Sequence, residues 1–143
     1  MPHDPAAFLG AWRLVAWRID YPDGGATHPF GPDAHGYIVY APGVMTASIA
    51  RAGRPVFGLA NARAADPAAK AGAFDGYFHY AGPWSVDGDH VVHHVTMALN
   101  PDMAGTDQRR LARFDGHSGL VLSAPEAMRD GRIRDHVLAW QRV

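Results

Sequence analysis

Apolar and polar residues alternate along much of the chain, a pattern that predicts β-strands rather than helices. Between residues 11 and 20, Trp12 and Leu14 fall on one face of the first predicted strand, and Trp17 and Ile19 on the other. Strand signals recur in seven later runs: 35–41, 44–51, 77–86, 88–101, 106–114, 120–124 and 132–143. The pattern therefore predicts about eight strands, with room for one more near Thr27.

Turn signals separate these strands. Asp-Gly pairs at 87–88, 115–116 and 130–131, and Pro42-Gly43, are typical of tight hairpins. Many short strands with glycine-bearing turns and little helix favour an all-β fold, a single antiparallel up-and-down β-barrel spanning residues 1–143, because closure removes exposed edges. A β-sandwich is the alternative.

Two segments depart from the strand pattern. Residues 4–9 predict a short N-terminal helical turn, with Asp4 as its N-cap and Pro5 at its first position. Residues 52–75 are rich in alanine, and Asp66-Pro67 is typical of a helix start. We expect a helix-bearing loop there. It is interpreted either as a mobile lid over the barrel mouth or as a plain surface loop.

The run from Gly88 to Pro101 contains the adjacent histidines His93 and His94. Strand geometry sends them to opposite faces, so one of them faces inward in either register. The first row is Val91, His93, Val95, Met97 and Leu99; the second is Val92, His94, Thr96, Ala98 and Asn100. We favour His94 slightly, because its row is smaller and more polar. The apolar row would then face outward, which suggests a homodimer.

Candidate catalytic residues are His93 or His94, Tyr80 and Arg110, which sequential strand pairing would bring into one pocket. A histidine with a pKa near ~6.5 transfers protons at neutral pH, and an arginine stabilises an enolate or a carboxylate. The alternatives are a hydrogen-bonded core histidine and a surface ion pair of Arg110 with Asp107 or Asp115.

Four further residues are predicted to contact a ligand. They are Tyr40, His79, Trp84 and Trp140. For Tyr40, Trp84 and also Tyr80, packing in the barrel wall without a chemical role is the alternative.

Composition excludes several classes of function. The 13 basic and 14 acidic residues give a net charge of -1 without a basic stripe, which argues against nucleic-acid binding. The chain has no cysteine, so disulfides and thiolate chemistry are excluded. We see no signal peptide and no apolar run long enough for a membrane helix, so we expect a cytoplasmic protein. His90 and His94 are ~13 Å apart along a strand, at ~3.3 Å per residue, which is too far for one ion, so we predict no metal site. We also expect no cofactor.

Both ends of the chain resemble the superfamily of lipocalins and fatty-acid-binding proteins. Gly10-Ala11-Trp12 is similar to its Gly-x-Trp signature, and Leu138 to Val143 is similar to its last strand. Between these ends the chain resembles the bacterial and fungal lipocalin-like domain family. The matching stretches are Leu9–Val15, Gly36–Tyr40, Tyr80–Gly82, Val92–Val95 and Gly105–Arg110.

The resemblance implies a ligand-binding barrel whose base is plugged by Trp12. Fatty-acid-binding proteins hold a carboxylate with an Arg-x-Tyr pair, but the matching positions here are Leu138 and Trp140. Several barrels of this kind are cofactor-free isomerases, cyclases or lyases. We therefore expect the cavity to enclose a small, largely apolar organic molecule and to act on it by His/Tyr/Arg proton transfer. A non-catalytic binder or carrier is the alternative, followed by a haem-binding barrel in which His136 is only roughly placed as the ligand.

Overall fold

The computed structural model describes residues 2–143, which contain one α-helix, α1 (Pro67–Asp75), and three short 3₁₀ turns. Its strands are β1 (Gly10–Asp20), β2 (Ala26–Thr27), β3 (His35–Ala41), β4 (Val44–Ala50), β5 (Tyr77–Gly82), β6 (Trp84–Asp87), β7 (His90–His94), β8 (Met97–Ala98), β9 (Asp107–Asp115), β10 (Gly119–Ala127) and β11 (Ile133–Arg142). The extra strand expected near Thr27 is β2, which pairs with β1. The N-terminal helical turn is also confirmed as a 3₁₀ turn, Pro5–Ala7, capped by Asp4.

The strands close on themselves. Hydrogen-bonded neighbours run in the order β6-β7-β9-β10-β11-β1-β3-β4-β5-β8, and all their pairings are antiparallel. β5 and β6 are one strand bent at Pro83. The His94 N–H donates to the Pro83 carbonyl at 2.8 Å, and the Thr96 N–H donates to the Ala81 carbonyl at 3.0 Å. These bonds join the two ends of the path, which confirms the predicted barrel over the sandwich.

Trp12 closes one end of the barrel, as predicted. Its side chain is fully buried, and its indole N–H donates to the Phe8 carbonyl at 2.9 Å. The Arg142 guanidinium lies 4.1 Å from the centre of the Trp12 ring and donates to the carbonyls of Ala7 and Leu9. The last strand thus ties the N-terminal turn across the barrel base.

A β-bulge corrects the predicted faces of the first strand. The register between β1 and β11 shifts between Leu14 and Ala16, which makes Val15 the extra residue. The shift reverses the alternation after Leu14. Trp17 consequently faces the barrel interior on the same side as Trp12, whereas strict alternation placed the two on opposite faces.

The histidine-rich run also loses its alternation. Its pairing is interrupted at Val95 and Thr96, between β7 and β8, so that Val95 is buried while Met97 is exposed. His93 is the inward histidine, with 1% of its surface exposed, and His94 lies on the outer face. The preference for His94 was wrong, because the apolar residues of β7 belong to the core and carry His93 with them.

The helix-bearing loop is confirmed by α1, which connects β4 to β5 at the end of the barrel opposite Trp12. No residue from 52 to 75 lines the barrel cavity. The structure therefore gives the lid interpretation no support, and the mobility expected for this segment stays a prediction.

Gly82 lies where the bent strand closes the barrel, and we expect Gly82→Ala to destabilise the fold by about 1–3 kcal/mol. A Cβ at this position would overlap the His94 carbonyl oxygen, which is backbone and has no room to move. The control is Gly72→Ala in α1, where a Cβ meets no atom within 4 Å. Alanine should raise the free energy of unfolding there by about 0.5–1 kcal/mol. Urea unfolding measures both variants. Equal stability of Gly82→Ala and the parent protein would contradict this account of the closure.

Candidate functional site

The barrel encloses a cavity of about 320 Å³ between its middle and its open end. This volume suits a small organic molecule. Its apolar wall consists of Trp17, Ile38, Ala47, Ile49, Phe78, Met103, Leu122, Ala124, Pro125, Leu138 and Trp140. Its polar side chains are Tyr80, His93, Gln108, Arg110, Glu126 and His136.

A chain of three buried side chains, Tyr40, His93 and Tyr80, lies at the inner end of the cavity. The Tyr40 hydroxyl is 2.6 Å from His93 Nε2, and the Tyr80 hydroxyl is 2.6 Å from His93 Nδ1. The three residues come from β3, β7 and β5. Both ring nitrogens of the histidine are therefore occupied by phenolic oxygens.

Burial keeps the side chains of Tyr40, His93 and Tyr80 uncharged at neutral pH. The pKa of His93 is lowered to about 3, chiefly by desolvation and then by the positive charges of Arg110 and the neighbouring His94. Burial raises the pKa of Tyr40 and of Tyr80, against a smaller lowering by Arg110. His93 is thus a weak base, and its part is to hold the two hydroxyl groups.

The single N–H of a neutral histidine fixes which group donates in each of these two hydrogen bonds. A neutral histidine carries one N–H, so one tyrosine donates to the ring and the other accepts from it. Tyr40 is fully buried outside the cavity lining, and within residues 2–143 its hydroxyl reaches only His93, so Tyr40 must donate to Nε2. His93 Nδ1–H then donates to Tyr80. The Tyr80 O–H, on the cavity wall, is left to donate to a ligand.

Arg110 brings a positive charge to the same cavity. It is half-buried on β9, and its guanidinium donates to Gln108 Oε1 at 3.2 Å and to the Arg109 carbonyl at 3.1 Å. No carboxylate of residues 2–143 lies within the 4.0 Å of an ion pair with it. The surface ion pair considered for Arg110 is absent from this part of the chain, and Asp107 bonds His94 instead.

Trp140 adds a second unpartnered donor to the cavity wall. Its ring is buried, and its indole N–H finds no acceptor within residues 2–143. A buried donor without an acceptor costs about 1–3 kcal/mol. A polar atom of a bound ligand or a water molecule would remove this cost.

A second polar cluster lies at the mouth of the cavity. The Trp17 indole N–H donates to His136 Nδ1 at 3.2 Å, and His136 Nε2 is 3.1 Å from Glu126 Oε2. Glu126 also pairs with Arg134, whose hydrogen bond is the main cause of its lowered pKa. Because an indole N–H only donates, His136 must carry its proton on Nε2.

Sequence reasoning missed this cluster, although part of the signal was present. His136, Leu138 and Trp140 are two residues apart on β11, so a ligand contact at Trp140 places His136 on the same face. The position of Trp17 depends on the bulge at Val15 and had no local signal.

Four predicted site residues do not line the cavity. Tyr40 lies behind the cavity wall and reaches it only through His93. The other three are His94, His79 and Trp84. His94 is on the outer face of the barrel, between Ser85 and Asp107. His79 also faces outward, where its Nδ1 is 2.9 Å from the Ser48 hydroxyl; alternation excludes it because Tyr80, its neighbour, faces inward. Trp84 packs behind Tyr40, with ring centres 4.9 Å apart, and donates to the Ala41 carbonyl. It contacts the base rather than the cavity.

Within residues 2–143, no group of three or more histidine, aspartate or glutamate side chains is arranged to hold a metal ion. The same residues include no helix with the length and apolar character needed to cross a membrane.

Comparison with known proteins identifies the family. A family model for a lipocalin-like domain matches residues 9–143. The chain belongs to the lipocalin-like domain family. No curated protein matches it. Among solved structures, a redesigned β-barrel is similar over 97% of this chain and 94% of its own length, with 11% sequence identity and a TM-score of 0.42, a likeness too weak to carry an argument.

The lipocalin-like barrel differs from fatty-acid-binding proteins where the resemblance placed their carboxylate-binding pair. Leu138 and Trp140 occupy those positions, and both line the cavity. The arginine that lines this cavity is Arg110, on β9. A ligand oxygen would therefore meet the cation on a different wall.

The pKa of His93 predicts how the stability of this lipocalin-like barrel depends on pH. Unfolded histidine takes up a proton near its ordinary pKa of 6.5, whereas folded His93 does so only near pH 3. Between these values the unfolded chain binds more protons, so His93 makes the free energy of unfolding fall as the pH falls. The expected slope is up to about 1.4 kcal/mol per pH unit.

Urea unfolding between about pH 7 and about pH 4 tests this slope in the parent protein and in His93→Gln. The variant should start less stable and lose less stability on acidification. Val15→Ala, which changes an exposed side chain that carries no titrating group, is the control and should follow the parent slope. Parallel curves for the parent and His93→Gln would show that His93 titrates normally in the folded protein.

Proposed function

We propose that the cavity binds a small, largely apolar carbonyl compound and converts it to an enolate without a cofactor. One observation carries the proposal: the Tyr80 O–H and the Arg110 guanidinium line one cavity. Among residues 2–143, the Tyr80 O–H has no acceptor left once His93 donates to its oxygen, and Arg110 has no carboxylate partner. Such donors stabilise negative charge as it develops on an oxygen atom. Enolate formation is a first step open to isomerases, cyclases and lyases.

Tyr80 and Arg110 form the electrophilic end of the proposed site. The carbonyl oxygen of the ligand accepts hydrogen bonds from both and becomes the enolate oxygen as the α-proton leaves. Tyr40 and His93 act through Tyr80, because their hydrogen bonds hold its hydroxyl with the proton directed into the cavity. They are positioning residues, and His93 is not the base.

His136 and Glu126 form the basic end of the proposed site. The lone pair of His136 Nδ1 takes the α-proton after releasing the long hydrogen bond from Trp17. Glu126 accepts from Nε2–H and stabilises the imidazolium that results. Return of this proton to the same carbon gives exchange, and its delivery to another carbon of a conjugated enolate gives isomerisation.

A non-catalytic binder or carrier is the second candidate function. The same donors would hold a ligand oxygen, and the apolar wall would hold its body, without any proton transfer. Haem ligation is less well supported, because both nitrogens of His136 are engaged by Trp17 and Glu126. A Soret band on titration with haem would favour it.

Hydrogen–deuterium exchange separates the enzyme from the carrier. The probe is 1-tetralone, an apolar bicyclic ketone with α-protons, incubated with the protein in D₂O and followed by NMR. We expect the parent protein to accelerate exchange at the α-carbon. His136→Asn should lose at least about 100-fold of this acceleration and still bind the ketone, whereas Tyr80→Phe should weaken both binding and exchange.

His79→Asn is the control, since His79 lies on the outer face of the barrel. It should exchange the probe at the parent rate. Saturable binding with exchange no faster than in buffer would reject the enzyme and support the carrier. Exchange that survives unchanged in His136→Asn would reject His136 as the base.

A further inference from the structure

Ser85, His94 and Asp107 form a hydrogen-bonded line across the outer face of the barrel, separate from the cavity. The Ser85 hydroxyl is 2.8 Å from His94 Nε2, and Asp107 Oδ1 is 2.8 Å from His94 Nδ1. The residues come from β6, β7 and β9, which are adjacent in the sheet. All three side chains are accessible to solvent.

We propose that Ser85, His94 and Asp107 are a serine-nucleophile triad that cleaves small carboxylic esters at the barrel surface. Asp107 accepts from His94 Nδ1–H, which fixes the lone pair of the imidazole on Nε2, facing the Ser85 hydroxyl. Each nitrogen therefore faces the partner that nucleophilic catalysis needs. Ser85 and His94 would contact the substrate, and Asp107 is a positioning residue.

An apolar groove beside Ser85 provides room for the ester. It has a volume of about 420 Å³, it includes Ser85 itself, and its walls are formed chiefly by Pro5, Leu9, Pro42 and Trp84. Side chains of this kind favour an acyl chain or an aromatic alcohol over a charged ligand. The nucleophile thus borders an apolar surface rather than open solvent on every side.

The free edge of β6 supplies N–H groups beside the nucleophile. In an antiparallel pair of strands, hydrogen-bonded and non-hydrogen-bonded residue pairs alternate. The His94 N–H donates to the Pro83 carbonyl, so two residues further along β6 the backbone of Ser85 bonds to β7, and the backbone of Val86 does not. Within residues 2–143, β6 ends the hydrogen-bonded path and has no strand on its other side. The Val86 N–H, directly after the serine, therefore faces away from β7 and can donate to a tetrahedral oxyanion.

The reaction balances with water as the second reactant. Ser85 Oγ attacks the ester carbonyl carbon while His94 Nε2 takes the hydroxyl proton, and His94 then gives that proton to the departing alkoxide. The products are the alcohol and an acyl ester on Ser85. Water attacks this ester, with His94 again taking and returning a proton, and releases the carboxylic acid.

The charged groups around His94 are few. On β9 they are Asp107 and Arg109, and on β6 the charged group is Asp87, which pairs with Arg109. The negative charge in direct contact with the imidazole is that of Asp107. Loss of this carboxylate in Asp107→Asn should therefore leave the imidazole without its orienting partner and slow the reaction of Ser85.

The experiment uses diisopropyl fluorophosphate, which phosphorylates activated serines, and 4-nitrophenyl butyrate as the ester. Intact-mass analysis of the parent protein should show one phosphoryl adduct, mapped by peptide digestion to Ser85. Ser85→Ala should lose the adduct, and His94→Asn should slow its formation at least about tenfold. Asp107→Asn should slow it, and Asp107→Glu, which keeps the carboxylate, should slow it less. Release of 4-nitrophenol should fall in parallel.

Ser48→Ala is the matched control. Ser48 is hydrogen-bonded to His79 on the outer face, but through Nδ1, and no carboxylate in the described part of the chain pairs with the His79 ring. Its loss should leave labelling and ester cleavage unchanged. The proposal is overturned if Ser85→Ala is labelled and cleaves the ester like the parent, or if Ser48 is labelled as fast as Ser85.

Discussion

Replacement of Arg110 by methionine should weaken binding of 4-nitrophenolate by about 100-fold or more. The phenolate imitates the charge of an enolate oxygen and absorbs visible light, so its binding is measured by titration. Arg110 is the cavity cation that no carboxylate within residues 2–143 neutralises, so its charge is free to meet the ligand. Methionine keeps the length of the side chain and removes the charge and the donors.

Arg109→Met is the matched control for this substitution. Arg109 precedes Arg110 on β9, but its side chain points outward and pairs with Asp87 at 2.5 Å. The control should bind the phenolate with the parent affinity. If Arg110→Met binds it as tightly as the parent does, the ligand oxygen does not meet Arg110 and the proposed electrophilic end is wrong.

The barrel itself could be predicted from the sequence because its signals are local. Residues 35–50, for example, show strand alternation on both sides of Pro42-Gly43 and form the β3–β4 hairpin. Trp12 could be placed at the base because Gly10-Ala11-Trp12 resembles a signature that occupies this position. The bulge at Val15 could not be predicted, because an extra residue in a strand is defined by the partner strand.

Part of the candidate site was also within reach of the sequence. Tyr80, His93 and Arg110 lie on strands that come close together in the barrel, and the structure places all three at one cavity. Choosing between His93 and His94 required the interruption at Thr96, which breaks the two rows. The contact between Tyr40 and His93 joins strands that are not sheet neighbours, so it arises only when the barrel closes.

Trp12→Ala should lower the free energy of unfolding by about 3–5 kcal/mol. The substitution removes a fully buried indole, its hydrogen bond to Phe8 and the ring under Arg142. It leaves a void at the base, where the last strand crosses the N-terminal turn. Chemical denaturation in urea measures the loss.

Val15→Ala is the control on the same strand. Its side chain is 52% exposed, so the loss should stay within about 0.5 kcal/mol. A loss below about 1 kcal/mol in Trp12→Ala would show that the base is not a major source of stability.

The central claim is that a ligand oxygen meets Tyr80 and Arg110 at the inner end of the cavity. The most direct test is the ¹³C NMR shift of 1-tetralone labelled at its carbonyl carbon, because hydrogen bonding to the oxygen moves this signal downfield. Bound to the parent protein, the signal should lie downfield of its position in water, and Tyr80→Phe should reverse most of that shift. A bound signal at the position found in an apolar solvent would place the carbonyl against the apolar wall and contradict the claim.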